Sequence, residues 1–225
     1  MSSLSVDLRT STLPNADGSA ELTIGGTKVI TSISGPIEPK LRQELPNQSS
    51  LEIIVRPATG LPTTREKLIE DKLRSVLQSV IISYKYPRQL IQVVVQFART
   101  DEAAEFNVNE LNAAINSCYF ALIDADVALY SSFASVVVAI NLGNLIREPS
   151  GDVLETSESF HLVCFTILDG HANKLLMLES QGEFTEQELF MVLSESVGEV
   201  EKLHSIQRKF IEDKIAEDYI WKRLE

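Results

Sequence analysis

Ala20-Glu21-Leu22-Thr23-Ile24-Gly25-Gly26-Thr27-Lys28-Val29-Ile30-Thr31-Ser32-Ile33-Ser34-Gly35-Pro36 is the stretch from which the fold is read. Ala20 to Ile24 predicts a short strand and Gly25-Gly26 a tight turn. Thr27 to Ser34, with Val29 and Ile33 alternating with polar neighbours, is the returning strand. Gly35-Pro36 is expected to stop it. Outward from this hairpin, Leu51 to Val55 is a β-branched run ended by Pro57. Gln89 to Phe97 carries Ile91, Val93, Val94 and Val95 and reads as another strand. Ala134 to Leu142 is too uniformly apolar for an exposed face and is placed centrally. His161 to Leu168 and Leu175 to Leu178 flank Asp169-Gly170-His171-Ala172-Asn173, a second hairpin with a longer turn.

Three helices begin with one device. Thr63 precedes Glu66, Asn107 precedes Glu110, and Thr185 precedes Glu188, each by three positions. The first residue of each pair can accept from a free N–H of the first turn, while the glutamate reaches back to the cap's own N–H. The first helix, about 63–84, sets Ile69, Leu73, Val76, Leu77 and Val80 on one stripe. Arg65 and Lys72 flank that stripe, and Lys67 and Arg74 point away from it. The second, about 107–129, buries Leu111, Ile115, Cys118 and Leu122. The third starts at Thr185 with Leu189, Val192 and Leu193 and runs on through Leu203, Ile206 and Phe210, with Gly198 the place for a break. Strands and helices alternate without a Pro-, Gly- or Ser-rich linker, so a single α/β domain with helices packed on a mixed sheet is expected.

Composition bounds the function. The chain has 225 residues, 44% of them apolar and 23% charged, enough to bury a core without disulfides or structural metal. Disordered, collagen-like and low-complexity classes are excluded. No apolar run suffices for a membrane span, and Met1 to Pro14 lacks a secretory layout. Cys118 and Cys164 form no framework and suggest a reducing compartment, cytosol or nucleus. The net charge is −12, against a free-standing nucleic-acid binder. The charge is uneven: residues 37–100 carry 10 basic and 6 acidic side chains, whereas 101–225 carry 8 and 23. Any polyanion contact should therefore fall on the Lys40 to Arg99 segment.

Reaction sites are few. His161, His171 and His204 are too scattered for a metal cluster, and no phosphate-cradling glycine loop or Gly-x-Ser-x-Gly elbow is present. Asp124 and Asp126 could hold Mg²⁺, but two positions apart on a helix they do not face one site, and a solvated turn is favoured. Glu148, Asp152, Glu155 and Glu158 make an acidic loop. Arg65, Lys67, Lys72 and Arg74 of the first helix, with Lys40 and Arg42 in the preceding loop, could touch a phosphate backbone. The alternative is an ordinary charged surface, with Glu66, Glu70 and Asp71 balancing the helix.

Ala16-Asp17-Gly18-Ser19-Ala20, Gly26-Thr27-Lys28-Val29 and Gly35-Pro36 resemble the opening of the RNase PH family. Arg65-Glu66 followed by Arg74 resembles that family's first helix. Ala113-Ala114-Ile115 with Ala121-Leu122-Ile123-Asp124-Ala125 looks like its second, and Gly182-Glu183-Phe184-Thr185 leading to Glu188-Leu189 like the start of its last. The matches run in order over about residues 16–195. Gly35 to Lys40 and Arg42 to Pro46 are similar to family members of the eukaryotic RNA exosome ring.

The resemblance implies an RNase PH-like fold over 1–225, with its core in about 16–195 and a C-terminal helix over about 185–222. It also implies that the chemistry has been lost. Active members place an arginine, holding the attacking phosphate, where this chain has Leu111 within Glu110-Leu111-Asn112. Leucine cannot donate to phosphate, and Glu110 would repel it. The metal-holding aspartates of active members align near Glu155 and His161, and a neutral imidazole suits Mg²⁺ poorly. No catalytic, cofactor or metal site is therefore expected. The implied role is a non-catalytic subunit of the exosome core ring, supporting 3′-to-5′ processing and decay of rRNA and mRNA in nucleus, nucleolus and cytoplasm. Its implied partners are other RNase PH-like ring subunits, RNA-binding cap subunits, a separate nuclease, and RNA in the ring channel, with no membrane. The alternatives are an active phosphate-dependent 3′-to-5′ exoribonuclease, with Arg65 replacing the lost arginine, or a stand-alone RNA-binding module. Candidate interface residues are the Gly35 to Pro46 loop, Phe184, Phe190 and Trp221, the last equally able to cover the core.

Overall fold

The opening hairpin forms as expected, β2 (Gly18–Ile24) pairing with β3 (Thr27–Ile37) across a Gly25-Gly26 turn, and β1 (Val6–Thr10) extends it. The structure, a computed structural model, describes residues 6–218. β3 continues past Gly35-Pro36 rather than stopping there. The Gly35-Pro36 peptide is cis and the pairing with β5 (Leu90–Arg99) shifts register between Ser34 and Ile37, so the proline is absorbed in a bulge. β4 (Ser50–Arg56) lies parallel to β5, completing a mixed sheet of order β1-β2-β3-β5-β4.

A second, antiparallel sheet has the order β7-β6-β8-β9, from β6 (Ser132–Asn141), β7 (Asn144–Arg147), β8 (Ser159–Leu168) and β9 (His171–Gly182). The β8–β9 turn is tighter than expected. Leu168 pairs with His171, leaving only Asp169 and Gly170, both at positive φ, in the two-residue geometry that Asp-Gly favours.

α1 (Thr64–Val80) and α2 (Val108–Asp124) form the layer between the sheets, and α4 (Glu186–Asp218) covers the far face of the second sheet. α2 is buried almost all round because it touches β2 and β3 on one side and β6 on the other. Likewise β6 is buried on both faces. Phe133, Val137 and Ala139 join the core around α2, while Ala134, Val136, Val138 and Ile140 pack with Val192, Val200 and Leu203 of α4. Each fully buried Leu, Ile, Val or Phe contributes about 1.5–3 kcal/mol.

Both inner helices are shorter than their periodicity suggests. α1 ends at Val80 because Ile81 pairs with Leu129, and the Ile82 and Tyr130 N–H groups donate to Ala128 and Val80. α2 ends at Asp124. Asp126 takes φ 53°, its N–H donates to Ile123 O, and the Val127 N–H donates to Leu122 O, closing the last turn as a Schellman motif. α4 passes through Gly198 unbroken. The flanking Val197, Val200 and Leu203 pack on the sheet, outweighing the glycine's cost of about 1 kcal/mol. A short α3 (Gly151–Thr156) precedes β8. Among the described residues no helix is long and apolar enough to cross a membrane.

Candidate nucleic-acid interface

The motif residues of the opening segment do structural work. Gly18 runs so close to α2 that a Cβ there would lie 2.3 Å from the Ala125 nitrogen. The Asp17 carboxylate accepts from the Gly35 N–H at 2.8 Å, tying the first turn to the cis-proline bulge. Asp124 is not half of a metal pair. It accepts from the Ser19 N–H at 2.8 Å and from both the N–H and hydroxyl of Ser11, and it pairs with Lys214 of α4. These contacts hold its carboxyl below the usual range against the opposing effect of burial.

The candidate RNA cations divide among four environments rather than forming one face. Arg65, in the first turn of α1, is turned inward. Its guanidinium donates to Glu110 at 2.6 Å and to the Phe106 carbonyl, and lies 3.4 Å from Glu66 and 3.6 Å from Glu102. Lys72 pairs with Glu179 of β9, and Lys67 with Glu70. Arg74, though off the apolar stripe, is not free. It is half-buried and donates to the Leu51 carbonyl of β4 at 2.7 Å. Lys40 and Arg42 are exposed on the loop after β3 and act on Glu52 of β4. The Gln92 amide, rather than these cations, is the main cause of that carboxyl's lowered pKa.

Glu102, which no sequence motif identified, takes the place of the expected cap on α2. The Asn107 side chain makes no capping bond; instead the Glu102 carboxylate accepts from the N–H groups of Asn109 and Glu110, each at 3.0 Å. The only available sequence signal was an acidic residue shortly before the helix. Burial pushes its carboxyl up to about 7, against the lowering effect of the two N–H donors and Arg65. At α1 the expected capping box forms in full, with Glu66 accepting from the Thr63 N–H and hydroxyl. At α4 the Thr185–Glu188 reciprocal pair is equally complete.

Leu111 is wholly buried in the main core, so this position is used for packing and presents no donor. His161 is equally buried on β8. Its ring nitrogens lie 3.2 Å from the Ser159 hydroxyl and 2.8 Å from that of Ser180, and Phe184 packs edge-on against the ring. Burial lowers its pKa despite nearby Glu188, so the imidazole is a neutral hydrogen-bonding peg. Glu155 is exposed on α3. Among the described residues no group of three or more His, Cys, Asp or Glu could hold a metal ion. Phe190 is 61% exposed on α4, and Trp221 lies outside the described residues.

Residues 4–128 match the model of the RNase PH family, described as the 3′ exoribonuclease family, domain 1. The chain is 43% identical over 218 residues to a Saccharomyces cerevisiae protein named Exosome complex component RRP46, covering 95% of this chain and 98% of that one. It is 33% identical to the Schizosaccharomyces pombe Exosome complex component rrp46, over 80% and 78% of the two chains. The fold superposes on the crystal structure of rice Rrp46 with a TM-score of 0.78 at 23% identity, over 92% and 91% of the two chains.

Proposed function

The chain belongs to the RNase PH family of 3′ exoribonucleases, and we propose that within it this protein is a non-catalytic ring subunit of an RNA exosome. The observation that carries the reading is the 43% identity, end to end, with the yeast exosome component. Its work is then architectural: with other RNase PH-like subunits it shapes the channel through which RNA passes from cap subunits to a separate nuclease. The RNA served is rRNA during maturation and mRNA during turnover, in nucleus, nucleolus and cytoplasm. The free, fully buried Cys118 and Cys164 are consistent with reducing compartments.

Absence of turnover is supported by the use made of two positions. Leu111 is committed to the core, and Arg65, the cation named as a replacement for a lost phosphate ligand, is held by Glu110, Glu66 and the Phe106 carbonyl. Freeing it to grip phosphate would leave buried carboxylates without their counter-charge. Native mass spectrometry of a tagged chain from its own cells should show an assembly with several homologous subunits; a lone monomer would defeat the ring reading. Single-stranded RNA incubated with the purified chain, Mg²⁺ and phosphate should remain intact. Release of nucleoside diphosphates would show an active phosphorolytic enzyme instead.

A further inference from the structure

Residues 72–99 contain five Lys or Arg side chains and no Asp or Glu, in a chain of net charge −12. Two of the five are engaged with carboxylates: Lys72 pairs with Glu179, and Arg88 lies 3.4 Å from Glu44. Arg74 and Lys85 have no carboxylate partner among the described residues, and Lys85 is exposed.

Beside these cations stand two uncovered aromatic rings. Tyr84 is 61% and Tyr130 58% exposed, with ring centroids 6.4 Å apart. The chain segments that carry them are hydrogen-bonded to each other. The Ile82 N–H donates to Ala128 O at 3.0 Å, the Tyr130 N–H to Val80 O at 2.8 Å, and the Ala128 N–H to the Tyr86 hydroxyl at 2.9 Å. The rings are thus presented on a rigid ledge, at little ordering cost on binding.

Ser83, immediately before Tyr84, lines a cavity of about 470 Å³. Its apolar lining includes Leu51, Ile81 and Ile91, and its polar lining Arg74 and Gln78. The Arg74 guanidinium, which lines this cavity, is anchored through one nitrogen on Leu51 O. Single-stranded nucleic acid is held by cations tracking its phosphates and by aromatic faces on which bases stack.

We propose that Tyr84, Tyr130, Lys85 and the Arg74 cavity form a contact surface for single-stranded RNA, separate from the Arg65 cluster. A base stacks on the tyrosine ledge, Lys85 meets the backbone, and Arg74 takes a phosphate oxygen at the cavity. The inference rests on the exosome reading for its ligand. Charge favours RNA over a protein neighbour, since Tyr84 and Lys85 lie in the 72–99 segment, which carries basic and no acidic side chains.

The test uses the full chain assembled with its ring neighbours and a 4-thiouridine-substituted oligouridylate. Crosslinked peptides should contain Tyr84 or Tyr130. In anisotropy titrations with the same oligonucleotide, Tyr84→Ala with Tyr130→Ala should weaken binding about tenfold, whereas the paired Phe variant should retain it. Lys85→Glu should weaken binding and flatten its salt dependence. All three are surface changes, so melting temperatures should stay close to the parent's. No crosslink at either tyrosine, or unchanged affinity in the alanine variant, overturns the proposal. Lost assembly with RNA affinity intact also overturns it and assigns the ledge to a protein neighbour. Failure of the parent chain to assemble at all is read separately, by native mass spectrometry, and counts against the ring reading.

Discussion

Arg65 and Glu102 show how much a single side chain's role depends on what surrounds it. The arginine is the sole cation within hydrogen-bonding or ion-pair reach of Glu66, Glu102 and Glu110 among the described residues. Arg65→Ala should lower stability by about 3 kcal/mol or more at pH 8, measured by urea denaturation, because it leaves buried carboxylates unpaired. Glu102 predicts a pH dependence whose sign follows from its raised pKa. Below about 4.5 the carboxyl is protonated folded or unfolded; between there and about 7 the folded protein keeps a proton that the unfolded chain has released. Stability from this group is therefore present in acid and falls as pH rises through about 7. Glu102→Gln removes the titration. Between pH 5 and 8 the variant should gain about 2–3 kcal/mol relative to the parent, and a parallel pair of pH–stability curves would contradict the assignment. Neither role was legible in sequence. Arg65 reads as one of the bases flanking the apolar stripe of an amphipathic helix, and Glu102 lies outside the capping spacing that Asn107 and Glu110 satisfy on paper.

At the scale of elements, α2 is fixed between the sheets by polar pegs as well as apolar packing. The Asn116 amide donates to the Ser135 carbonyl at 2.9 Å and accepts from its N–H at 3.2 Å, in the middle of β6. On the other side the Ser117 hydroxyl donates to Thr31 of β3 at 2.8 Å. Asn116→Ala leaves the buried Ser135 N–H without its partner and should cost about 2–3 kcal/mol, read as a shift in the urea midpoint. Thr185→Ala removes one half of the α4 capping pair and should cost about 1 kcal/mol, visible as faster amide exchange in the first turn of that helix. The capping spacing at Thr63 and Thr185 could be read directly, because a cap is a contact between residues three apart. Where the α1 and α2 periodicities ended could not. Ile81 and Ile82 would prolong a helical stripe, and they leave it because the chain near Ala128 offers their backbones a partner.

Over the whole molecule, four alternating layers account for the composition pattern. A helix between two sheets and a sheet between two helical layers must each be apolar on two faces, which is why α2 and β6 lack a polar side. Among the described residues the outer face of the mixed sheet has no such cover, and there Lys28, Ser32, Gln92 and Gln96 appear. An assembled ring subunit should melt at a higher temperature than the isolated chain, because association stabilises only the folded form. Equal melting temperatures for the free and assembled protein would argue that the contacts are slight. The hairpin, the central strand, two of the three helix caps and the family could be read from the order of residues, since each rests on neighbours along the chain or on ordered motifs. Which charges are free depends on the folded arrangement. Arg65, Lys72 and Arg74 carry the same formal charge in the same helix, yet carboxylates and a carbonyl supplied by α2, β9 and β4 determine what each can reach. Those partners lie far away in sequence, and electrostatic interaction depends on distance in space.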